Sequence, residues 1–231
     1  YLATGSPLDE SKYIEEVGKN TNTRQCFTKL NEDDFLEEID DFVVSIEEPV
    51  SGLSPYAQYR VMKLAGQDGA KVLLDGQGGD ELYAGYEYYF SYYFYELLST
   101  YKFLQLIKEM YLYLRNFRKT YAVLMFCFLL LPGCLKRITW KNILCRWLDH
   151  NYFNLGQKHS SYDPRWQRMK LQDALTYTFF YSAIPHLLKW EDKNSMRWSV
   201  ESRVPFFDQD LVTASLYLSP SQKINNGRTK V

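Results

Sequence analysis

The stretch "KVLLDGQGGDELYAGY", Lys71 to Tyr86, decides how the rest of the chain is read. A short apolar run, Val72-Leu73-Leu74, stops at Asp75-Gly76-Gln77-Gly78-Gly79, and Asp80 and Glu81 follow at once. An apolar run cut off by glycines reads as a buried strand entering a loop. Three glycines and three carboxylates therefore crowd into seven residues at a strand end. Loops that hold phosphate usually add a lysine. This one adds negative charge.

Working outward from the strand, "SPYAQYRVMKLAGQDG" upstream reads as an amphipathic helix closed by Gly66 or Gly69. Before it, Pro49 ends "NEDDFLEEIDDFVVSIEEP", an acid-capped helix with Phe35, Leu36, Ile39 and Val43 at helical spacing. Its run of acids reads as a solvated face. "QCFTKL" reads as another short strand. Asp9-Glu10-Ser11 cap a first helix through Tyr13, Ile14 and Val17 to Gly18, after a few residues that resemble a strand tail. Strands separated by helices of this length imply a parallel sheet covered by helices. Downstream of Glu81 the pattern is helical, with no expected strand, and residues 87–160 are aromatic-rich helices of weak periodicity. The expected class is α/β, a parallel sheet flanked by helices over residues 1–86, followed by a mostly helical C-terminal part over residues 87–231.

Composition narrows the function. At 231 residues the chain suits one sizeable domain or a domain with a subdomain. Lys and Arg, 27 together, nearly balance 28 Asp and Glu, so no long-range field argues for nucleic acid or an anionic membrane. Cys26, Cys127, Cys134 and Cys145 form no C-x-x-C pair and read as buried, reduced thiols. His150, His159 and His186 are scattered, so any metal chemistry is carboxylate chemistry. The N-terminus has no signal-peptide pattern, and a cytoplasmic location is the expectation. The longest apolar run, Tyr121 to Leu135, is fifteen residues and is broken at Pro132-Gly133. A bilayer span needs roughly twenty; a buried helix is expected, with a membrane-surface helix as the alternative.

The glycine loop has its own chemistry. Ligands of open parallel sheets sit at the carboxyl ends of strands. Glycines there let backbone N–H groups approach a ligand, and the next helix presents its positive end to the same space. The loop is neither a P-loop, which needs a following lysine, nor a dinucleotide fingerprint, because the last position counted from Gly76 is Glu81. What remains is a loop able to touch phosphates through N–H groups while Asp80 offers oxygen to Mg²⁺. An ordinary strand-to-helix turn with an acidic helix start fits the same residues.

A second dense stretch is "HLLKWEDKNSMRWSVESRVPFFDQDLV", His186 to Val212. Charged residues mixed this closely with Trp190, Trp198, Phe206 and Phe207 read equally as a site or as a structural salt-bridge network.

The two stretches together resemble the synthetase domain of glutamine-hydrolysing asparagine synthetases. "LLDGQGGDELYAGY" is similar to the family loop [SD]-G-[EQ]-G-x-D-E-x-x-x-G-Y, and "LLKWEDKNSMRWSVESRVPFFD" to a later family segment. "EEP" at Glu47-Glu48-Pro49 and the closing "NNGRTKV", akin to a family G-x-x-K-x-x-L-R segment, fall in the same order. The resemblance implies an adenine nucleotide alpha hydrolase-like fold and ATP-pyrophosphatase chemistry, with aspartate adenylated by ATP and β-aspartyl-AMP opened by ammonia from glutamine. It implies that Asp75, Gly76, Gly78 and Gly79 contact the nucleotide and that Gln77 serves formation and use of the acyl-adenylate. Asp80 is matched with the Mg²⁺ ligand, Glu81 with support of the loop, and Asp192 and Lys193 with the segment lining the same cleft. Glu201, Arg203 and Asp208 look like a buried structural network beneath it. ATP and Mg²⁺ are the implied cofactors. The implied partners are aspartate, ammonia and an N-terminal glutaminase domain of the same protein, with a homodimer compatible and neither nucleic acid nor membrane expected.

Gln77 departs from the many members with Glu there, and a glutamine cannot act as a base. The alternatives are a related adenylating amidoligase or cyclase with another acceptor, and a non-catalytic helical module that has lost its nucleotide loop. The family's S-G-G-x-D-S loop and N-terminal glutaminase cysteine are expected before Tyr1, and a further phosphate-contacting lysine beyond Val231. The chain thus reads as a fragment, expected to be inactive alone.

Overall fold

In the computed structural model, which describes residues 11–50, 52–139 and 168–231, two units form, and the chain passes between them after Gln77, Ile184 and Pro205. The first unit holds the described residues up to Gln77 together with Pro185–Pro205, and the second holds the others. Sequence pattern changes character near Tyr86, but the strand pairing described next draws residues 185–205 into the first unit.

In the first unit, α1 (Ser11–Thr21) runs past Gly18, and α2 (Glu32–Ile46) and α3 (Ser54–Gln67) form as their patterns predict. The Asn31 side chain accepts the Asp34 N–H at 2.7 Å, and Glu32, Asp33 and Asp34 occupy the electropositive first turn of α2. Glu47, with φ 58, closes the helix just before Pro49. Pro55 opens α3, where its missing N–H costs nothing. The core joins Phe42, Ile46, Tyr56 and Tyr59, with Phe35, Trp190 and Trp198 packed against them. The buried face of α2 is rotated from the expected one: Leu36 and Val43 are exposed, and Phe42 and Ile46 are inside.

The acids of α2 are not a simple solvated face. Tyr56 and Tyr59 are buried and donate their hydroxyls to Glu38 (2.7 Å) and Asp41 (2.5 Å). Arg60 reaches Asp34 and Glu38 at 2.6 Å each, and Lys63 reaches Glu38 at 2.6 Å. Residues 34, 38 and 41 share one helical face, so a single stripe meets α3.

Strand β1 (Val72–Leu74) forms as expected, but Val72 and Leu74 are exposed. Its partner is β2 (Glu201–Arg203), parallel, with Val72 opposite Glu201 and Leu74 opposite Arg203. This strand lies where the sequence pattern showed only helix. Three residues reading Glu-Ser-Arg carry no apolar alternation for the eye to find. The segment "QCFTKL" does not form the expected strand; only Lys29 in it makes a bridge. The expected strand tail lies outside the described residues.

The second unit contains α4 (Gly79–Leu82), α5 (Tyr89–Ser99), α6 (Phe103–Phe117), α7 (Tyr121–Leu130), α8 (Gly133–Thr139) and α9 (Leu171–Tyr181). Helix α10 (Ala183–Arg197) enters the first unit at Pro185, and a short turn at Pro205–Phe207 leads back. Then come α11 (Gln209–Tyr217), α12 (Pro220–Lys223) and a hairpin, β3 (Ile224–Asn225) with β4 (Arg228–Thr229). Helix α5 is central: Tyr89, Phe90, Tyr92, Tyr93, Phe94 and Leu97 are all buried, among α6, α7 and α9. A helix covered on every side needs no polar stripe, hence its weak periodicity. The Tyr113 hydroxyl accepts the Ala122 N–H at 3.1 Å, fixing the start of α7, and itself donates to Glu87.

The apolar run at Tyr121 is thus a ten-residue helix with Ala122, Phe126 and Leu129 inside. No described helix is long and apolar enough to cross a membrane. Cys26, Cys127 and Cys134 are free thiols but exposed, against the expectation of burial. Cys145 lies outside the described residues.

Candidate functional site

At the carboxyl end of β1 the first unit has a cavity of about 470 Å³. Its wall includes Asp75 and Gln77 from the loop, Gln58 and Met62 from α3, and Leu187 and Trp190 from α10. Strand pairing sets the floor, because the Asp75 N–H continues the ladder to the Arg203 carbonyl at 2.8 Å. No atom lies within 4 Å of where a Cβ on Gly76 would stand, so the backbone there is open to a ligand. Of the residues singled out in the sequence, Asp75 and Gln77 are brought together here.

Behind Asp75 lies Glu191, only 3% exposed. Gln58 Nε2 and Ser202 Oγ each donate to one of its oxygens. Burial, and next the hydrogen-bonded Asp75 carboxyl group, push Glu191 up to about 7, so that near neutrality it holds or releases a proton. This buried acid is the chemically adjustable part of the unit. Sequence reasoning passed over Glu191 in favour of its neighbours. Leu187, Trp190, Glu191 and Asn194 keep helical spacing, so one stripe of α10 carries them all, and Asn194 Nδ2 donates to the Pro55 carbonyl (3.0 Å) and Gln58 (3.0 Å).

Asp192 and Lys193 stand on other faces of α10. Asp192 is exposed, Lys193 pairs with Glu47, and neither lines the cavity. Glu48 accepts from Lys189 and, at 2.9 Å, from Trp190 Nε1. The "EEP" acids therefore fasten the end of α2 to α10 and hold Trp190 at the cavity wall. The expected buried network is not formed: Arg203 bonds Glu201 at 2.7 Å on an exposed surface, and the exposed Asp208 caps α11 through the Asp210 and Leu211 N–H groups (3.0 and 3.1 Å).

The rest of the loop belongs to the second unit. Gly78 has φ 98, a left-handed backbone that suits glycine, and a Cβ there would lie 2.7 Å from the Phe207 ring. Gly79 faces Phe206, 3.6 Å from its would-be Cβ. Both glycines thus admit aromatic rings. Asp80 Oδ1 lies 2.5 Å from the Lys230 ammonium. Glu81 is buried and accepts the Tyr86 hydroxyl at 2.7 Å; burial, then that carboxylate, raises the phenol above its ordinary value. Among the described residues no three His, Cys, Asp or Glu side chains gather into a ready metal site. Magnesium asks less of the protein than that, one or two carboxylates with phosphate and water completing the shell, and Asp80 offers a carboxylate of the right kind.

A family model for asparagine synthase matches residues 3–231, and the chain belongs to that family, whose activity in general is ATP-dependent amide ligation. No curated protein and no solved structure matches the chain.

Proposed function

We propose that the protein forms an amide by adenylation on an adenine nucleotide alpha hydrolase-like domain. The side-chain carboxylate of aspartate attacks the α-phosphorus of ATP, giving β-aspartyl-AMP and releasing pyrophosphate. Ammonia, freed from glutamine by a glutaminase domain of the same protein, then adds at the acyl carbon, loses a proton and expels AMP. The observation that carries this reading is the meeting of Asp75 and Gln77 on one cavity at a strand end, with the open backbone of Gly76 between them in the chain.

Each residue has a task there. Asp75 and Gly76 take the nucleotide, the first through its carboxyl group and the second through its backbone. Gln77 donates and accepts hydrogen bonds that orient the acyl-adenylate, since an amide cannot take the ammonia proton. Glu191 fixes Asp75 by their hydrogen bond, while Trp190, Met62 and Leu187 keep water from the reacting centre. Asp80 would hold Mg²⁺, and the ion would supply charge neutralisation to a pyrophosphate leaving group. Lys193 steadies α10 through Glu47.

A second reading changes the acceptor. Among the described residues, those lining the cavity include Val61, Met62, Leu187 and Trp190 but no Lys, Arg or His, so none of them offers a cation to the α-carboxylate of aspartate. A less polar carboxylic acid suits that wall.

The test uses protein expressed from its complete reading frame, with ATP, Mg²⁺ and aspartate. AMP and pyrophosphate are expected as products, and Asp80→Ala is expected to abolish both. Release of ADP and phosphate overturns the mechanism. Turnover with an apolar acid but not with aspartate selects the second reading.

A further inference from the structure

The β3–β4 hairpin is held more firmly than a surface hairpin requires. Both amides of its turn, Asn226 and Gly227, donate to the two oxygens of Glu109 at 3.0 and 2.8 Å. Glu109 sits on α6 and is 1% exposed. Asn116, farther along α6, donates to the Asn226 and Gly227 carbonyls at 3.2 and 2.9 Å. Gly227 has φ 63, and a Cβ there would lie 2.5 Å from the Leu112 carbonyl carbon. The turn therefore rests on the helix backbone itself, at a separation only glycine allows.

What this clamp delivers is Lys230, just beyond β4. Its backbone is left-handed, with φ 54, and its ammonium lies 2.5 Å from Asp80 Oδ1. Room for the pair is made at Gly85, where a Cβ would fall 1.6 Å from Asp80 Oδ1 and 2.6 Å from Lys230 Cε. The Gly85 N–H also donates to the Asp80 carbonyl at 2.8 Å. An ion pair this exposed adds little to stability, so the value of the pair to the fold does not explain the apparatus that makes it.

We propose that Lys230 is a positioning residue for Asp80: the clamped hairpin holds an ammonium on the carboxylate as a stand-in for the divalent cation, which takes its place on binding. The inference rests on the reading of Asp80 as a magnesium ligand. A lysine ammonium is a compact, hydrated point charge, and it occupies the same oxygen that a hard cation seeks. The two cations repel, so each weakens the other's hold on Oδ1.

Mn²⁺ binding without nucleotide, followed by the electron paramagnetic resonance of the unbound ion, tests this in the complete protein. Lys230→Ala and Lys230→Gln are expected to bind Mn²⁺ roughly two- to fivefold more tightly, as the loss of a half-exposed ion pair allows. Lys230→Arg, which keeps the charge, is expected to stay near wild type. Gly227→Ala keeps every charge but pushes the turn off α6, and is expected to behave like Lys230→Ala. Should Gly227→Ala not fold, Lys230→Gln, at an exposed side chain, decides alone. Unchanged or weaker Mn²⁺ binding in the Lys230→Ala and Lys230→Gln proteins, with Asp80→Asn still abolishing it, overturns the role of Lys230. Mn²⁺ binding that Asp80→Asn leaves intact overturns the magnesium reading itself.

Discussion

Glu191→Gln isolates the buried acid beside Asp75. In the folded chain Glu191 moves from its ordinary 4.5 up to about 7, so the native state binds this proton more tightly than the unfolded chain. Its contribution to stability is fully present below pH 4.5 and is lost as the pH rises through 7. At about 1.4 kcal/mol for each tenfold change in proton activity, the loss amounts to about 3 kcal/mol across that window. Glutamine has the same shape, stays neutral at every pH, and can still accept from Ser202 and donate to Asp75, while its amide nitrogen no longer accepts from Gln58, a loss that is the same at every pH. The stability of the variant relative to the wild type is therefore expected to rise by about 3 kcal/mol between pH 4.5 and pH 8. Urea unfolding at a series of pH values measures this, with tryptophan fluorescence as the signal because Trp190 and Trp198 pack in the same unit. Titrating groups that do not touch Glu191 cancel in the difference between the two proteins. A rise below about 1 kcal/mol between those pH values would show that the Asp75–Glu191 pair is hydrated or separated, and the reasoning would fail.

Two further outcomes test the helical unit. Phe94→Ala, which empties the fully buried side of α5 between Tyr113 and Phe126, is expected to cost about 3–5 kcal/mol in denaturant unfolding. Tyr113→Phe leaves the Ala122 N–H unpaired in the interior, and is expected to cost about 1–3 kcal/mol and to speed hydrogen exchange at the start of α7.

Much of this structure was legible where sequence pattern and burial coincide. Helices α2 and α3 and strand β1 announce themselves through caps, proline and a glycine stop. Glycines beside acids at a strand end drew attention to the loop, and Asp75 and Gln77 within it were singled out by the resemblance to a family motif. β2 was missed because its partner supplies the pairing, and Ser202 earns its place by bonding Glu191 rather than by being apolar. The buried face of α2 was misjudged because Leu36 and Val43 match its period as well as Phe42 does, and only the rings of α3 choose between them. Glu191 was visible in principle as the acid on the Leu187–Trp190 stripe, but it was read as one charge in a mixed run. Helix α5 offered no pattern, since a helix wrapped on all sides carries no record of which way it faces.

The parallel bond between Val72–Leu74 and Glu201–Arg203 has a consequence for synthesis. A ribosome making roughly 5–20 residues each second leaves β1 waiting on the order of ten seconds for its only described mate to emerge. Throughout that interval the nascent chain shows an unpaired strand edge, and a transcript cut short ahead of Glu201 would never close it. Chaperone capture of stalled chains, falling off once residue 203 clears the exit tunnel, is the trace such a delay should leave.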